Sequence, residues 1–365
     1  MDQKIVNIQA VRAVAALGVL ASHLYAYDAR YAADPVLPAW FTYGFSGVDL
    51  FFAVSGFVMV LVTRGRFGDA ASAGAFLFSR VWRIYPPFWL FTAVVIAGFA
   101  AAGTLEARLE ESTLIGSLTL FPVTTAAPLL QVGWTLTHEL YFYLVFALML
   151  LAPQRLLPVL LALWCAVILA AWSAGLGAAS PPARIAFSPL TFEFVAGAAA
   201  GLLVVSGRRR FGWAAIAVGV AGIVAGSLWI GPPDPMSFAS GWRRFAAFGI
   251  PCALIVYGAA CVEVDGRSRA PDGAVALGDW SYSLYLLHLP LIAALAALWA
   301  DRWAGPLDNL AFALIATAAA VALSWAAFRG FERPVLALGG KLRARLFPAR
   351  RPQPGGTPRL ASRIW

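Results

Sequence analysis

The chain has 365 residues, 61% hydrophobic and 12% charged, about half the charge of an ordinary soluble domain. With a mean hydropathy of +0.76 it is excluded from the class of water-soluble globules. Most of the net charge of +9 lies behind Phe328, where nine basic residues meet one acid; a topology signal and contact with anionic lipid explain that charge better than nucleic-acid binding does.

Apolar windows able to cross a hydrocarbon core of about 30 Å recur along the chain. Bounded by charge clusters and Pro/Gly turns, they predict ten transmembrane helices at 5–27, 45–63, 83–102, 132–151, 156–174, 187–205, 211–230, 244–262, 279–299 and 307–328. The expected fold is all-α, a polytopic helical bundle in the membrane. Arg12 interrupts what would be the apolar stretch of a signal peptide, so the first span is expected to stay. With the N-terminus in the cytoplasm, 20 basic residues fall on inside segments and six, Arg243 and Arg244 among them, on outside loops. This bias predicts that both termini are cytoplasmic. No internal repeat of the transporter kind is visible, and the simplest division is one membrane domain, 1–335, with a basic, disordered cytoplasmic tail, 336–365. Cys165, Cys252 and Cys261 all lie in apolar runs, which argues against a disulfide framework and a thiolate metal site.

Seven charged or histidine side chains fall at membrane depth in these spans, clear of the span boundaries: Arg12, His23, Asp49, His138, Glu139, Glu193 and His288. Each costs about 2.5–3.5 kcal/mol at membrane depth and is therefore a candidate for function. In the first span Arg12 and His23 are 11 residues apart, three turns plus about 20°, so they share a face with a rise of about 16 Å between them. Ala16 and Val19 between them are small enough to leave a groove. Taken alone, Arg12 suits snorkelling to the interface and His23 packing against a neighbour equally well.

The second span opens with Asp49 near its outer end, and Ala53 and Gly56 continue that face with little bulk. The third opens with Arg80-Val81-Trp82-Arg83-Ile84-Tyr85-Pro86, where the two arginines at i, i+3 can point one way and the Pro pair is expected to force an irregular turn. Two guanidiniums suit a multiply anionic phosphate ligand from the cytosol; positive-inside anchoring is the plainer reading. The fourth span carries Trp134, His138, Glu139 and Tyr143. By rise, His23, Asp49, His138 and Glu139 fall in the outer half of the bilayer. A histidine beside carboxylates is the composition of a general-base site, and also of a proton relay in a transporter. Glu193 reads as a structural contact. Trp134, His138, Tyr282 and His288 are candidates to line a substrate passage, with an interhelical hydrogen bond an equal reading for His288. Three histidines on three helices lack ligand spacing, so no metal is expected.

Together these segments resemble acyltransferase family 3, integral-membrane O-acyltransferases of bacterial surface and secreted glycans. Arg12 with His23 is similar to its first-helix motif, Gly47 to Phe57 to its GVDLFFxxSGF segment, and Arg80 to Pro86 to its RxxRIYP element. Gly133 to Tyr143, Leu277 to His288 (LGDWSYSLYLLH) and Phe331 to Pro334 (FERP) are similar to the later motifs. Six motifs in order cover the chain from the first helix to the last. The resemblance implies transfer of an acyl group, usually acetyl, from cytoplasmic acyl-CoA to a sugar hydroxyl at the bacterial inner membrane. It makes the counterparts of Arg12 and His23 essential and puts those of Arg80 and Arg83 on the CoA side. His138 stands where small or apolar residues are usual, so no role carries over to it. The wording of Gly133 to Leu136 leans towards members tied to exopolysaccharide.

On this reading acetyl-CoA is the donor, its phosphates on Arg80 and Arg83 and its thioester end held by Arg12. His23 is the catalytic base, with Glu139 or Asp49 supporting the imidazolium. The partners are a carbohydrate acceptor, the lipid bilayer and, as candidates, polysaccharide-assembly proteins. The alternative is a proton-coupled transporter or flippase of a glycan or lipid-linked sugar, with Arg12, His23 and Glu139 along its path.

Overall fold

A computed structural model of the chain describes residues 5–231, 241–299, 302–303 and 305–348. Ten long helices stand where the ten spans were expected: α1 (Val6–Tyr31), α2 (Gly47–Thr63), α3 (Ala70–Ala101), α4 (Gly133–Met149), α5 (Leu157–Ser173), α6 (Thr191–Val205), α7 (Gly212–Ile230), α8 (Ile250–Val264), α9 (Ser281–Leu298) and α10 (Pro306–Ala327). The described residues contain no strand. Nine helical stretches among them are long and apolar enough to cross a membrane; α4, with 17 residues, falls just short and carries His138 and Glu139. The chain is a multi-pass membrane protein.

Loop contacts sort the connections into two ends. Gly68 donates its N–H to Leu150 O (2.8 Å) and Gly65 to Gln154 Oε1 (2.8 Å), which joins the α2–α3 and α4–α5 connections. At the same basic end the Glu263 carboxylate accepts from the N–H groups of Val6 (2.9 Å) and Asn7 (2.6 Å). An anion at the exposed donors of a helix start is favourable, and here it ties the end of α8 to the start of α1. At the opposite end Asn309 Nδ2 donates to Asp34 O (2.9 Å).

Helices in lipid gain little from burying apolar surface against one another, so close packing relies on small residues. α2 and α6 meet this way: a Cβ on Gly56 would strike Phe194 O, and one on Gly197 would strike the backbone of Ala53. The glycines therefore set the interhelical distance. Ala16, expected beside a groove on α1, is instead buried at 2% exposure among Leu20, Leu284 and Ala316; a small residue invites a neighbour to close in.

Two further expectations are corrected. α3 starts at Ala70, capped by the Asp69 carboxylate, and runs unbroken through Pro86 and Pro87, so no irregular turn forms there. Each proline removes one N–H from the ladder, and membrane helices tolerate that where neighbours supply other partners; Tyr282 donates its hydroxyl to Ile84 O (2.9 Å) beside the pair. At the other end of the chain, the residues after α10 continue through a wide π turn, Phe328–Glu332, into α11 (Arg333–Leu346). The first part of the expected tail is thus helical, anchored by the Trp82 indole N–H to Val335 O (2.8 Å). Residues 349–365 lie outside the described residues.

Candidate active site

Among the described residues, two cavities bear on the candidate residues. The inner one, about 80 Å³, is lined by Arg12, Arg80, Arg83, Ser55, Glu139, Tyr143 and Tyr282, among others. The outer one, about 810 Å³, is lined by His23, Trp134, Thr137, His138 and Arg244, and by the segments around 112–132 and 172–190. They share two wall residues, Val48 and Tyr285. A drug-sized ligand needs about 300–1,000 Å³, so the outer cavity has room for a sugar unit and the inner one only for a few atoms.

α1 serves both. Its two candidate residues face the same side, as the spacing requires, and the rise between them delivers Arg12 to the inner cavity and His23 to the outer. Arg12 Nη1 donates to Gln9 Oε1 (2.8 Å). α3 brings in Arg80 and Arg83. The Arg80 guanidinium lies 5.6 Å from the Phe76 ring and 5.8 Å from the Tyr143 ring; it is buried, well inside the helix rather than at its exposed start. Glu139 is the acidic residue of the wall, its Oε1 accepting from Ser55 Oγ (3.0 Å) and from the Tyr143 hydroxyl. Behind the wall, Glu332 accepts from Ser283 Oγ (2.6 Å).

Neither carboxylate stands at His23. Asp49 receives Arg244 Nε (2.9 Å) on one oxygen and Arg244 Nη2 (2.8 Å) on the other, and Glu139 belongs to the arginine cavity. The expectation that one of them backs the imidazole is corrected. A carboxylate in an apolar bundle goes to the strongest donor within reach, and for Asp49 that is a guanidinium. Instead, His23 Nδ1 lies 2.9 Å from Val19 O and 3.3 Å from His288 Nε2.

His138 is buried in the outer cavity with its ring edge-on to Trp134, centroids 5.9 Å apart. Tyr282 lines the inner cavity. The dividing wall is pinned by Tyr285, whose hydroxyl is 2.7 Å from Thr135 Oγ1 and donates to Val132 O (3.1 Å).

Arg244 was missed as a site residue because it was counted with the outside loops. One signal was available: a lone carboxylate in an apolar span needs a cationic partner, and Arg244 stands at the outer edge of a span. Ser55 and Tyr143 lie inside the quoted motifs, but no spacing rule joins them to Glu139 across helices.

A family model for an acyltransferase domain matches residues 5–329. The chain is 32% identical over 316 residues to the exopolysaccharide production protein ExoZ of Rhizobium meliloti strain 1021, covering 82% of this chain and 92% of that one. It is 28% identical over 323 residues to the acyltransferase MdmB of Streptomyces mycarofaciens, covering 78% of each. No solved structure matches it.

Proposed function

We propose that this chain, which belongs to the acyltransferase family whose model spans residues 5–329, moves an acetyl or other short acyl group from cytoplasmic acyl-CoA to a hydroxyl of a surface or secreted carbohydrate. The bacterial inner membrane is the proposed location, with both termini cytoplasmic. One observation carries this reading: a single helix presents Arg12 to an arginine-lined inner cavity and His23 to a large outer cavity, and the two share a thin wall at Val48 and Tyr285. Donor and acceptor can then approach from opposite ends.

Arg80 and Arg83 would hold phosphate oxygens of the coenzyme, since guanidiniums bind them by charge-assisted hydrogen bonds. The inner cavity, about 80 Å³, takes only a few atoms and would have to widen to hold the thioester end beside Arg12 with phosphate on the arginine pair; the nucleotide would stay towards the cytosol. Where the two cavities adjoin, at Val48 and Tyr285, His23 would accept the proton of the acceptor hydroxyl as its oxygen attacks the thioester carbonyl carbon. The C–O bond forms, the C–S bond breaks, and the proton passes from His23 to the departing thiolate, giving an ester and free CoA with no net proton change. The name of ExoZ supports an exopolysaccharide as the acceptor class, and a polysaccharide-assembly protein is then a candidate partner.

The test is transfer of label from [acetyl-14C]acetyl-CoA to glycan in membranes holding matched amounts of wild type and His23→Ala. Label with wild type alone supports the proposal. Label in both removes His23 from the chemistry. Translocation of a glycan with no acyl-CoA consumed, across several acceptors, replaces the proposal with the transporter alternative.

A further inference from the structure

The partner of His23 is another histidine, and the carbonyls around the pair decide where its hydrogens sit. His288 on α9 is buried, 1% exposed. Its Nδ1 lies 3.1 Å from Leu284 O, one turn back on its own helix. A carbonyl oxygen only accepts, so Nδ1 of His288 carries the hydrogen. In a neutral imidazole the other nitrogen is then a bare acceptor, and Nε2 of His288 points that lone pair at His23 Nδ1, 3.3 Å away. His23 Nδ1 also faces Val19 O at 2.9 Å. With two acceptors in front of it, His23 Nδ1 carries a hydrogen too. Nε2 of His23 is left holding the free lone pair, on a ring that lines the outer cavity.

We infer that His288 is the positioning residue for His23, in the place that a carboxylate takes in a Ser-His-Asp triad. The inference rests on the reading of His23 as the base. The relay runs from Leu284 O through both rings to the cavity, and each ring is held by a backbone carbonyl one turn back on its own helix. The rings meet edge-on, centroids 4.9 Å apart at 62°, which keeps the Nδ1–H of one pointed at the Nε2 of the other. When His23 Nε2 takes up the acceptor's proton, its Nδ1–H becomes a charged donor and the bonds to Val19 O and His288 Nε2 strengthen. A neutral partner provides this without a second buried charge, which an apolar bundle makes expensive. Asp49 and Glu139 are thereby free for their other contacts.

The test combines steady-state kinetics of acyl transfer with His288→Leu and His288→Gln. Leucine fills space without an acceptor; the Gln Oε1 reaches the place of Nε2. His288→Leu is expected to lower kcat by about 10-fold or more, with KM for acetyl-CoA and glycan unchanged, and His288→Gln to recover most of the loss. Wild-type kcat in His288→Leu overturns the inference, and so does an equal loss in both variants, which marks a packing role. An active His23→Ala overturns the underlying reading instead, so the two failures are distinct. Should His288→Leu not fold, 15N-histidine NMR of the wild-type protein decides: His23 protonated on Nδ1 with Nε2 bare is expected, and the reverse tautomer overturns the inference.

Discussion

Arg244 reaches from just ahead of α8 to Asp49 in the first turn of α2 and grips it with two parallel hydrogen bonds, 2.9 Å and 2.8 Å, with both side chains at most 1% exposed. The Arg244 guanidinium also lies 5.2 Å from the Phe45 ring and 6.0 Å from the Trp134 ring. The ion pair joins α2 to the chain entering α8 at the rim of the outer cavity, and Glu193 stands beside it, also fully buried.

Breaking a buried pair leaves one charge stranded. Arg244→Met is expected to cost about 3–5 kcal/mol, read as a lower thermal unfolding temperature in detergent. Asp49→Leu combined with Arg244→Met is expected to recover much of that loss, because the stranded charge is gone. A double variant no more stable than Arg244→Met would mean that the pair does not act as a unit.

Arg80 and Arg83 test the donor side. A hydrogen bond to a charged group is worth about 1.5–3 kcal/mol, so Arg83→Ala is expected to raise KM for acetyl-CoA by about 10-fold to 100-fold while KM for the acceptor stays near wild type. Arg80→Ala acts in the same direction and also loosens Tyr143. Loss of membrane insertion in the double variant, checked by fractionation, would identify anchors and not a ligand site.

Tyr285 tests the wall. Tyr285→Phe removes the contacts to Thr135 and Val132 but keeps the ring, and is expected to fold and transfer acyl groups with a modest loss. Tyr285→Ala widens the junction between the two cavities and admits water to the thioester. Hydrolysis of acetyl-CoA without acceptor is expected to rise several-fold above wild type, measured by thiol release; an unchanged rate would show that the wall does not shield the donor.

Gly197 tests the packing. A Cβ there meets backbone atoms of Ala53, which cannot swing aside as a side chain does. Overpacking costs about 1–3 kcal/mol, so Gly197→Ala is expected to lower the unfolding temperature, and Gly56→Ala to do the same from the facing helix. Gly98, with open space where its Cβ would be, is the control: Gly98→Ala is expected to be neutral or slightly stabilising.

The ten helices were legible in the sequence because crossing a bilayer is a local requirement: about 20 apolar residues must satisfy their own backbone, whatever the rest of the chain does. The same cost marked Arg12, His23, Asp49, Glu139 and His288 as exceptional, and helix geometry placed Arg12 and His23 on one face. What those residues bond to was not legible, since the partners are far apart in the chain: Asp49 and Arg244 by 195 positions, His23 and His288 by 265. Only helix packing chose among the donors and acceptors available. It gave the Arg244 guanidinium to Asp49, closed Glu139 in with Ser55 and Tyr143, and left His23 to a second imidazole. Most buried polar groups in an apolar bundle take the best partner the neighbouring helices bring within about 3 Å, and hydropathy along one chain does not say which helices are neighbours.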